Sequence, residues 1–295
     1  MIIGCYTADM DGAGTGFFVA GGETVAAASP SYLVGDERFV YAVNEGAGTV
    51  SSYARETLAL LSTAPTGGRW PCHLALHPDG FVIVANYGSG NVSVHPVADG
   101  VLSPYTDLVQ HEGHGPDAGR QEGPHAHQIV VSPDGSVTVA DLGIDRLVHY
   151  RLADGRLTAT GGTVLPPGTG PRHIAGRYVV GELSSTVVSL ADLTAARTTA
   201  SGGDNFPSAI VAGGDLLYVA NRGANTIAVL ETEPALKLVA EVPCGGEWPR
   251  DLVLDGDVLR VANQNSGTVV TFTAGRDPQP TGEVLDVPSP ACILL

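Results

Sequence analysis

Two arginines and a histidine occupy matching places in a repeated pattern. Arg172 and Arg250 each directly follow a proline, and His125 follows Pro124 in the same way. Guanidinium groups bind carboxylate and phosphate oxygens or stabilise an oxyanion, and an imidazole transfers protons near neutral pH. The alternative is local pairing of each arginine with an acidic neighbour, such as Asp251 beside Arg250. If the repeats converge in space, the sequence predicts a site for a small anion.

The third repeat contains two histidines, and the repeat pattern does not choose between them. Alignment on Pro124 puts His125 at the arginine position, whereas alignment on the Pro-Asp-Gly turn at 133–135 puts His127 there. Only one of the two needs to act in catalysis. An His-X-His pair is also found in metal sites, but no third ligand clusters with it, so we expect no metal ion.

One carboxylate stands out among the polar residues that end the second apolar run of each repeat. With Cys5 in the closing repeat, that column contains Asn44, Asn86, Asp141, Glu182, Asn221 and Asn263. Short polar side chains there are expected to hydrogen-bond neighbouring loops. Glu182 is longer and charged, so it is either a salt-bridge partner of the arginines or a general base. Strand alternation predicts that His73 and His173 turn away from the site and are structural.

The elements that position these residues repeat roughly every 40 residues. Short runs rich in Val, Ile, Tyr and Thr follow each of seven prolines, with almost no helical periodicity: Pro30, Pro71, Pro124, Pro171, Pro207, Pro249 and Pro290. Such runs, separated by Gly-containing turns, are typical of four-stranded propeller blades. The sequence therefore predicts an all-β, seven-bladed β-propeller with the chemistry at the mouth of its central channel.

The last repeat predicts how the ring closes. Pro290 is followed by only five residues, enough for one strand, whereas residues 1–6, 16–20 and 24–28 match the other three strands of a blade. Pairing of N- and C-terminal strands in one blade would remove the free sheet edge of an open ring. We expect one domain over residues 1–295, and expect removal of the last six residues to destabilise the whole ring.

The charge and cysteine content of the chain indicate which binding partners and which cellular location to expect. The formal charge is −16, with 31 acidic and 15 basic residues, so phosphate backbones and anionic lipids are repelled and neither nucleic acid nor membrane is an expected partner. The four cysteines form no CxxC pair, and the N-terminus lacks the basic and apolar regions of a signal peptide, which together predict a cytoplasmic location. The sequence leaves the oligomeric state open.

Several phrases, in order along nearly the whole chain, resemble one family. They are Tyr41-Ala42-Val43-Asn44-Glu45, Val84-Ala85-Asn86-Tyr87-Gly88-Ser89-Gly90, Pro124-His125-Ala126-His127, Asp141-Leu142-Gly143-Ile144-Asp145-Arg146, Gly170-Pro171-Arg172-His173, Glu182-Leu183 and Pro249-Arg250. The chain is similar to the seven-bladed lactonases, which include a bacterial 6-phosphogluconolactonase and the fungal 3-carboxy-cis,cis-muconate lactonising enzyme. The resemblance implies a site made of His125 or His127, Arg172, Glu182 and Arg250.

The function predicted from residues and resemblance together is hydrolysis of a small anionic lactone, with 6-phosphogluconolactone as the expected substrate and without a cofactor. Three alternatives remain at this point. The same residues could run a muconate-type lactonisation. Glu182, Asp141 and the asparagines could instead hold Ca²⁺ or Zn²⁺ in a metal-dependent lactonase. The chain could also be a non-enzymatic propeller scaffold, because fold does not fix function.

Overall fold

The computed structural model describes all 295 residues, Met1–Leu295, as a ring of seven antiparallel sheets. The helical content is limited to two single-turn 3₁₀ helices, Ala8–Met10 and Leu142–Ile144. Neither is long or apolar enough to span a bilayer. The all-β, seven-bladed prediction is confirmed.

The strands of each blade are given in chain order. Blade 1 contains β4 (Pro30–Gly35), β5 (Phe39–Asn44), β6 (Thr49–Ala54) and β7 (Leu60–Pro65). Blade 2 contains β8 (Pro71–His77), β9 (Phe81–Asn86), β10 (Asn91–Ala98), β11 (Val101–Leu102) and β12 (Asp107–Gln110). Blade 3 contains β13 (Ala126–Val131), β14 (Ser136–Asp141), β15 (Arg146–Ala153) and β16 (Arg156–Val164).

The other four blades follow the same plan. Blade 4 contains β17 (Pro171–Ala175), β18 (Tyr178–Gly181), β19 (Thr186–Ser189) and β20 (Ala195–Arg197). Blade 5 contains β21 (Phe206–Gly213), β22 (Leu216–Arg222), β23 (Thr226–Glu231) and β24 (Lys237–Pro243). Blade 6 contains β25 (Pro249–Asp255), β26 (Val258–Asn263), β27 (Thr268–Thr273) and β28 (Gln279–Asp286). Blade 7 contains β29 (Pro290–Leu294), β1 (Ile2–Cys5), β2 (Gly16–Val19) and β3 (Thr24–Ala26).

Blade 7 joins the two ends of the chain. Its strand order is β29-β1-β2-β3, and Ile2 pairs with Leu294 while Ile3 pairs with Ile293. This pairing completes the seventh sheet, so all seven sheets contain at least four strands. The predicted closure of the ring by the N- and C-terminal strands is confirmed.

Apolar side chains fill the spaces between blades. One cluster joins blades 5 and 6 through Ile227, Leu252 and Phe272, and another joins blades 1 and 2 through Val43 and Leu74. Because each blade packs against a neighbour on both faces, its middle strands carry apolar residues on both sides; every residue of β22 is buried. This double packing explains the continuous apolar runs in the sequence.

Side chains on the innermost strands also connect neighbouring blades. In four junctions a side-chain atom accepts a hydrogen bond from a backbone N–H of the adjacent innermost strand. The bonds are Leu33 N to Cys292 Sγ (3.4 Å), Ile129 N to His73 Nδ1 (3.4 Å), Ile174 N to Gln128 Oε1 (2.6 Å) and Ile293 N to Asp251 Oδ2 (2.8 Å). These bonds satisfy donors on the inner strand edges that no further strand covers.

All seven innermost strands contain a β-bulge directly after their first paired residue. The pairing shifts register there in every blade, so one or two residues have no partner on the second strand. A bulge breaks the alternation of side chains and re-aims the extra residue. The seven bulges lie at the same end of their strands, and this end surrounds the mouth of the channel.

Candidate active site

A small cavity of about 160 Å³ lies at the mouth of the channel. Its nine lining residues come from six of the seven blades and from one loop: Glu45, Cys72, Tyr87, Arg120, His127, Arg172, Glu182, Arg222 and Arg250. The protein has only 15 basic residues among 295, yet four arginines meet here. The ring thus brings together Arg172, Glu182 and Arg250, as the repeat pattern predicts.

The bulges supply four of the lining side chains. Cys72, His127, Arg172 and Arg250 each lie at the bulge of their innermost strand. In blade 3 it is Ala126, not Pro124, that pairs with the end of the second strand, which puts His127 at the bulge. The structure therefore places His127, and not His125, at the position equivalent to the arginines.

His125 lies behind the wall of the cavity. Its ring stacks on Tyr87 with centroids 4.5 Å apart, and its Nδ1 is 2.9 Å from the Tyr87 carbonyl oxygen. Nε2 is 3.3 Å from the exposed carboxylate of Glu122. His125 does not line the cavity, so its contacts are those of a residue that supports Tyr87.

A second set of lining residues follows the second strand of each blade. Glu45, Tyr87 and Glu182 come directly after β5, β9 and β18, and their backbone N–H groups bond the residue before the innermost strand, at Ser29, Trp70 and Gly170. Arg222 is the equivalent residue of blade 5, and Tyr6 that of blade 7.

This register corrects one alignment made from the sequence. Gly181, not Glu182, pairs with Pro171 and so shares the column of Asn44 and Asn263. Glu182 belongs one place further on, because β18 ends at Gly181. The carboxylate is therefore at a cavity-facing position, whereas the column itself faces the loops.

Glu182 is in contact with three guanidinium groups. Its Oε1 is 2.6 Å from Arg120 Nη2, and its Oε2 is 2.5 Å from Arg222 Nη2 and 3.2 Å from Arg172 Nε. Burial alone would raise the pKa of Glu182, but attraction by Arg222, Arg172 and Arg120 outweighs it and lowers the pKa to about 2. Glu182 is therefore ionised across the physiological range and binds the arginines to one another.

Arg172 is almost fully buried, at 3% exposure. Burial and the nearby charge of Arg222 lower its pKa to about 9, despite the opposing effect of Glu182. Its Nε is close to Glu182, but the N–H bond has no hydrogen-bond acceptor. A buried cation with an unused donor is well suited to bind an incoming anion.

Arg250 occupies the other side of the cavity with Tyr6 and Glu45. Its guanidinium lies over the Tyr6 ring, 4.7 Å from the centroid, and donates to the Tyr6 hydroxyl. The hydroxyl in turn donates to Glu45 Oε2 at 2.7 Å, and Arg250 Nη2 is 4.0 Å from the same oxygen. Asp251 instead accepts a hydrogen bond from Ile293, so the local Arg250–Asp251 pair considered from the sequence is not formed.

His127 and Cys72 are both uncharged in the free protein. Burial, followed by the positive charge of Arg172, holds the pKa of His127 well below its usual value. Its Nδ1 is buried and has no hydrogen-bond partner. Burial and the charge of Glu45 raise the pKa of the Cys72 thiol, which donates to the His127 carbonyl oxygen. Cys72 therefore remains a thiol and is a poor nucleophile.

His73 and His173 do face the channel, and the prediction that they turn away is wrong. The His173 ring lies 5.7 Å from that of His73, 5.4 Å from His127 and 6.0 Å from Tyr32, all on other blades. The adjacent bulges interrupt the alternation on which the prediction rested. These rings form a cluster in contact with His127, which lines the cavity, and His73 also joins blades 2 and 3.

The polar column holds loops, as expected for short polar side chains. Asn86 donates to the Thr66 carbonyl and to Asn91, and Asn221 donates to the Thr198 carbonyl. Asp141 accepts from His125 N and Gly143 N and contacts His111 Nδ1 at 2.6 Å.

The alternative of a metal-dependent lactonase is not favoured by this geometry. The oxygens of Asp141 are engaged by loops, those of Glu182 by arginines, and no group of three or more His, Cys, Asp or Glu residues is arranged to hold a metal ion. Three guanidinium groups around Glu182 would also repel a cation.

Two larger surface cavities, of about 390 and 370 Å³, lie at the opposite end of β17. Both are lined by Arg177 and Glu233, which form an exposed ion pair at 2.9 Å. They contain no histidine and no unpaired buried charge. The chemistry is concentrated in the smaller cavity at the channel mouth.

Sequence reasoning missed several lining residues. Glu45, Tyr87 and Arg222 share a detectable signal, because each directly follows the second apolar run of its repeat. Arg120 has no such signal, since it comes from the long connection between β12 and β13. Buried Gln121 fixes that loop by donating to the Leu142 carbonyl at 2.8 Å.

Comparison with known proteins assigns the family. Residues 4–295 match the model of the lactonase, 7-bladed beta-propeller family. The chain belongs to this family. It is also 35% identical to the 6-phosphogluconolactonase of Bacillus subtilis over 253 residues, covering 75% of this chain and 72% of the relative.

Solved structures agree with the family assignment. The periplasmic gluconolactonase of Pseudomonas aeruginosa is 29% identical, with a TM-score of 0.85 over 98% of this chain and 96% of the other. A protein from Lactobacillus plantarum is 28% identical, with a TM-score of 0.88 over 99% of this chain and 97% of the other. The scaffold alternative therefore gives way to membership of an enzyme family.

Proposed function

We propose that this lactonase hydrolyses a small anionic sugar lactone, with 6-phosphogluconolactone as the substrate. The observation that carries the proposal is the charge of the cavity. Four guanidinium groups and two carboxylates leave an excess of two positive charges in a protein whose net charge is −16. A phosphate monoester carries about −1.5 to −2 at neutral pH, which would neutralise this excess.

Size and chemistry support the same substrate class. The volume of about 160 Å³ is below the roughly 300–1,000 Å³ of typical drug-sized ligand sites, so a compact sugar derivative suits it. Arg172 and Arg250 would bind the anionic group or stabilise the oxyanion that forms when water attacks the carbonyl carbon. The ring C–O bond then breaks, and the ring oxygen takes up a proton.

His127 is the histidine we assign to the site. Its pKa is depressed chiefly by burial and by Arg172. A bound anion would cancel part of the arginine charge and so raise that pKa from its value in the free protein. That Arg172, Glu182, Arg250 and His127 together form the active site is part of this proposal.

The test is a pH-stat assay of acid release. We expect the purified protein to accelerate hydrolysis of 6-phosphogluconolactone over the spontaneous rate, and to prefer it to unphosphorylated gluconolactone in kcat/KM. Equal rates for the two lactones would contradict the charge argument, and no acceleration of either would contradict the proposal. Incubation with a carboxymuconate tests the lactonising direction. The cytoplasmic location stays a prediction, since one structural relative is periplasmic.

A further inference from the structure

The two carboxylates of the cavity have different surroundings. Both oxygens of Glu182 are in contact with guanidinium groups, from Arg120 on one side and from Arg172 and Arg222 on the other. Proton transfer to Glu182 would remove the charge that holds these three cations together. Glu182 is therefore poorly suited to accept a proton from water.

Glu45 has only one of its oxygens engaged. Oε2 accepts a hydrogen bond from the Tyr6 hydroxyl at 2.7 Å, and the nearest guanidinium nitrogen, on Arg250, is 4.0 Å away. Oε1 makes no hydrogen bond within the protein. The side chain is 11% exposed and lines the cavity, so the carboxylate is accessible from the cavity.

The backbone fixes where Glu45 points. It directly follows β5, and its N–H bonds the Ser29 carbonyl oxygen at 3.2 Å. Tyr6 comes from the same position in blade 7 and links Glu45 to Arg250 through its hydroxyl. A carboxylate held at one oxygen and free at the other is the arrangement expected of an oriented general base.

We propose that Glu45 is a further catalytic residue, the general base of lactone hydrolysis, and that Tyr6 and Glu182 are positioning residues. Tyr6 orients Glu45 beside Arg250, and Glu182 orients the three arginines. This inference rests on the proposed hydrolysis of a lactone.

The step balances without a co-reactant. Glu45 takes one proton from water as the water oxygen bonds to the carbonyl carbon, and the carbonyl oxygen becomes an oxyanion beside Arg250. The carbonyl re-forms as the bond to the ring oxygen breaks. The proton on Glu45 passes to that oxygen, which regenerates the carboxylate and leaves a hydroxy acid.

Three other titratable groups face Glu45, and none changes charge in a neutral assay. Burial, the largest effect, raises the pKa of the Tyr6 hydroxyl and of the Cys72 thiol, so both remain protonated. Burial would lower the pKa of Arg250, but Tyr6 and then Glu45 raise it, so the guanidinium remains charged.

The experiment compares Glu45→Gln, Glu182→Gln and the control Glu56→Gln, which makes the same chemical change on an exposed residue of blade 1. For Glu45→Gln we expect kcat to fall by about 10²–10⁴-fold with KM changed by less than about threefold, the pattern of a lost proton-transfer group. For Glu182→Gln we expect a raised KM and lower stability. The control Glu56→Gln should have the kcat, KM and stability of the wild type.

Rescue separates chemistry from structure. Formate supplied to Glu45→Ala should restore part of kcat, because a small carboxylate can occupy the vacated space, whereas Glu182→Ala should not respond. A urea midpoint for Glu45→Gln close to that of the wild type shows that the variant is folded.

The outcomes distinguish this inference from the proposed function. If Glu45→Gln retains kcat within about threefold while Arg172→Ala is inactive, Glu45 is not the base and the lactonase proposal stands. If the wild type hydrolyses no lactone, both are overturned. Rescue of Glu182→Ala but not of Glu45→Ala would assign the base to Glu182.

Discussion

Glu182→Gln tests the electrostatic centre of the site most severely. The change keeps the size of the side chain but leaves Arg120, Arg172 and Arg222 around a neutral amide. In the wild type these arginines lower the pKa of Glu182 from 4.5 to about 2, which corresponds to about 3 kcal/mol of stabilisation at neutral pH. Most of it comes from Arg172 and Arg222, since Arg120 is 39% exposed and screened by solvent.

The pH dependence has a defined sign. Because the folded-state pKa of Glu182 lies below its ordinary value, its stabilisation is fully present above about pH 4.5 and is lost as pH falls towards 2. The difference between wild type and variant should therefore be about 3 kcal/mol at pH 7 and should shrink at low pH. Removing one partner of a buried ion pair costs a similar 3–5 kcal/mol or so.

Urea unfolding followed by tryptophan fluorescence measures this difference, with Glu283→Gln as the exposed control. Inorganic phosphate should restore stability to Glu182→Gln, because an anion bound among the three arginines stabilises the folded state by mass action. A loss below about 0.5 kcal/mol, or a difference that does not change between pH 7 and pH 3, would refute the account of Glu182.

Three further predictions concern the other parts of the site and the ring. Arg172→Ala and Arg250→Ala should each lower kcat/KM, because each variant loses about 2–4 kcal/mol of transition-state stabilisation. Rates in the pH-stat assay near those of the wild type would contradict the role assigned to these arginines. His127→Ala should reduce kcat/KM more than His125→Ala, and the reverse order would show that the bulge does not select the histidine. Deleting 290–295 removes β29 and its pairing with β1, so we expect loss of cooperative unfolding in circular dichroism, whereas removing Leu295 alone should have little effect.

The repeat pattern was sufficient to predict the fold and its closure. Prolines before apolar runs recur at nearly equal spacing, and the shortened last repeat is completed by the first residues of the chain. The same equivalence predicted that Arg172 and Arg250 meet, because identical positions in a ring of blades lie at one end of the channel.

The finer geometry depended on the pairing register between the strands of each blade, which cannot be read from the sequence. Each bulge shifts the pairing by one or two residues, and this decided between His125 and His127 and turned His73 and His173 inward. The short strand β18 moved Glu182 one place beyond its expected column. Arg120 lies on a connecting loop, where no repeat constrains its position.

The most direct measurement of the central claim is a crystal structure of the protein soaked with 6-phosphogluconate, the hydrolysis product of the proposed substrate. We expect the ligand to occupy the channel-mouth cavity, with its anionic groups in contact with Arg172 and Arg250 and with Glu45 beside its carboxyl end. A ligand bound only elsewhere, such as beside Arg177 and Glu233 at the opposite end of the strands, would contradict it.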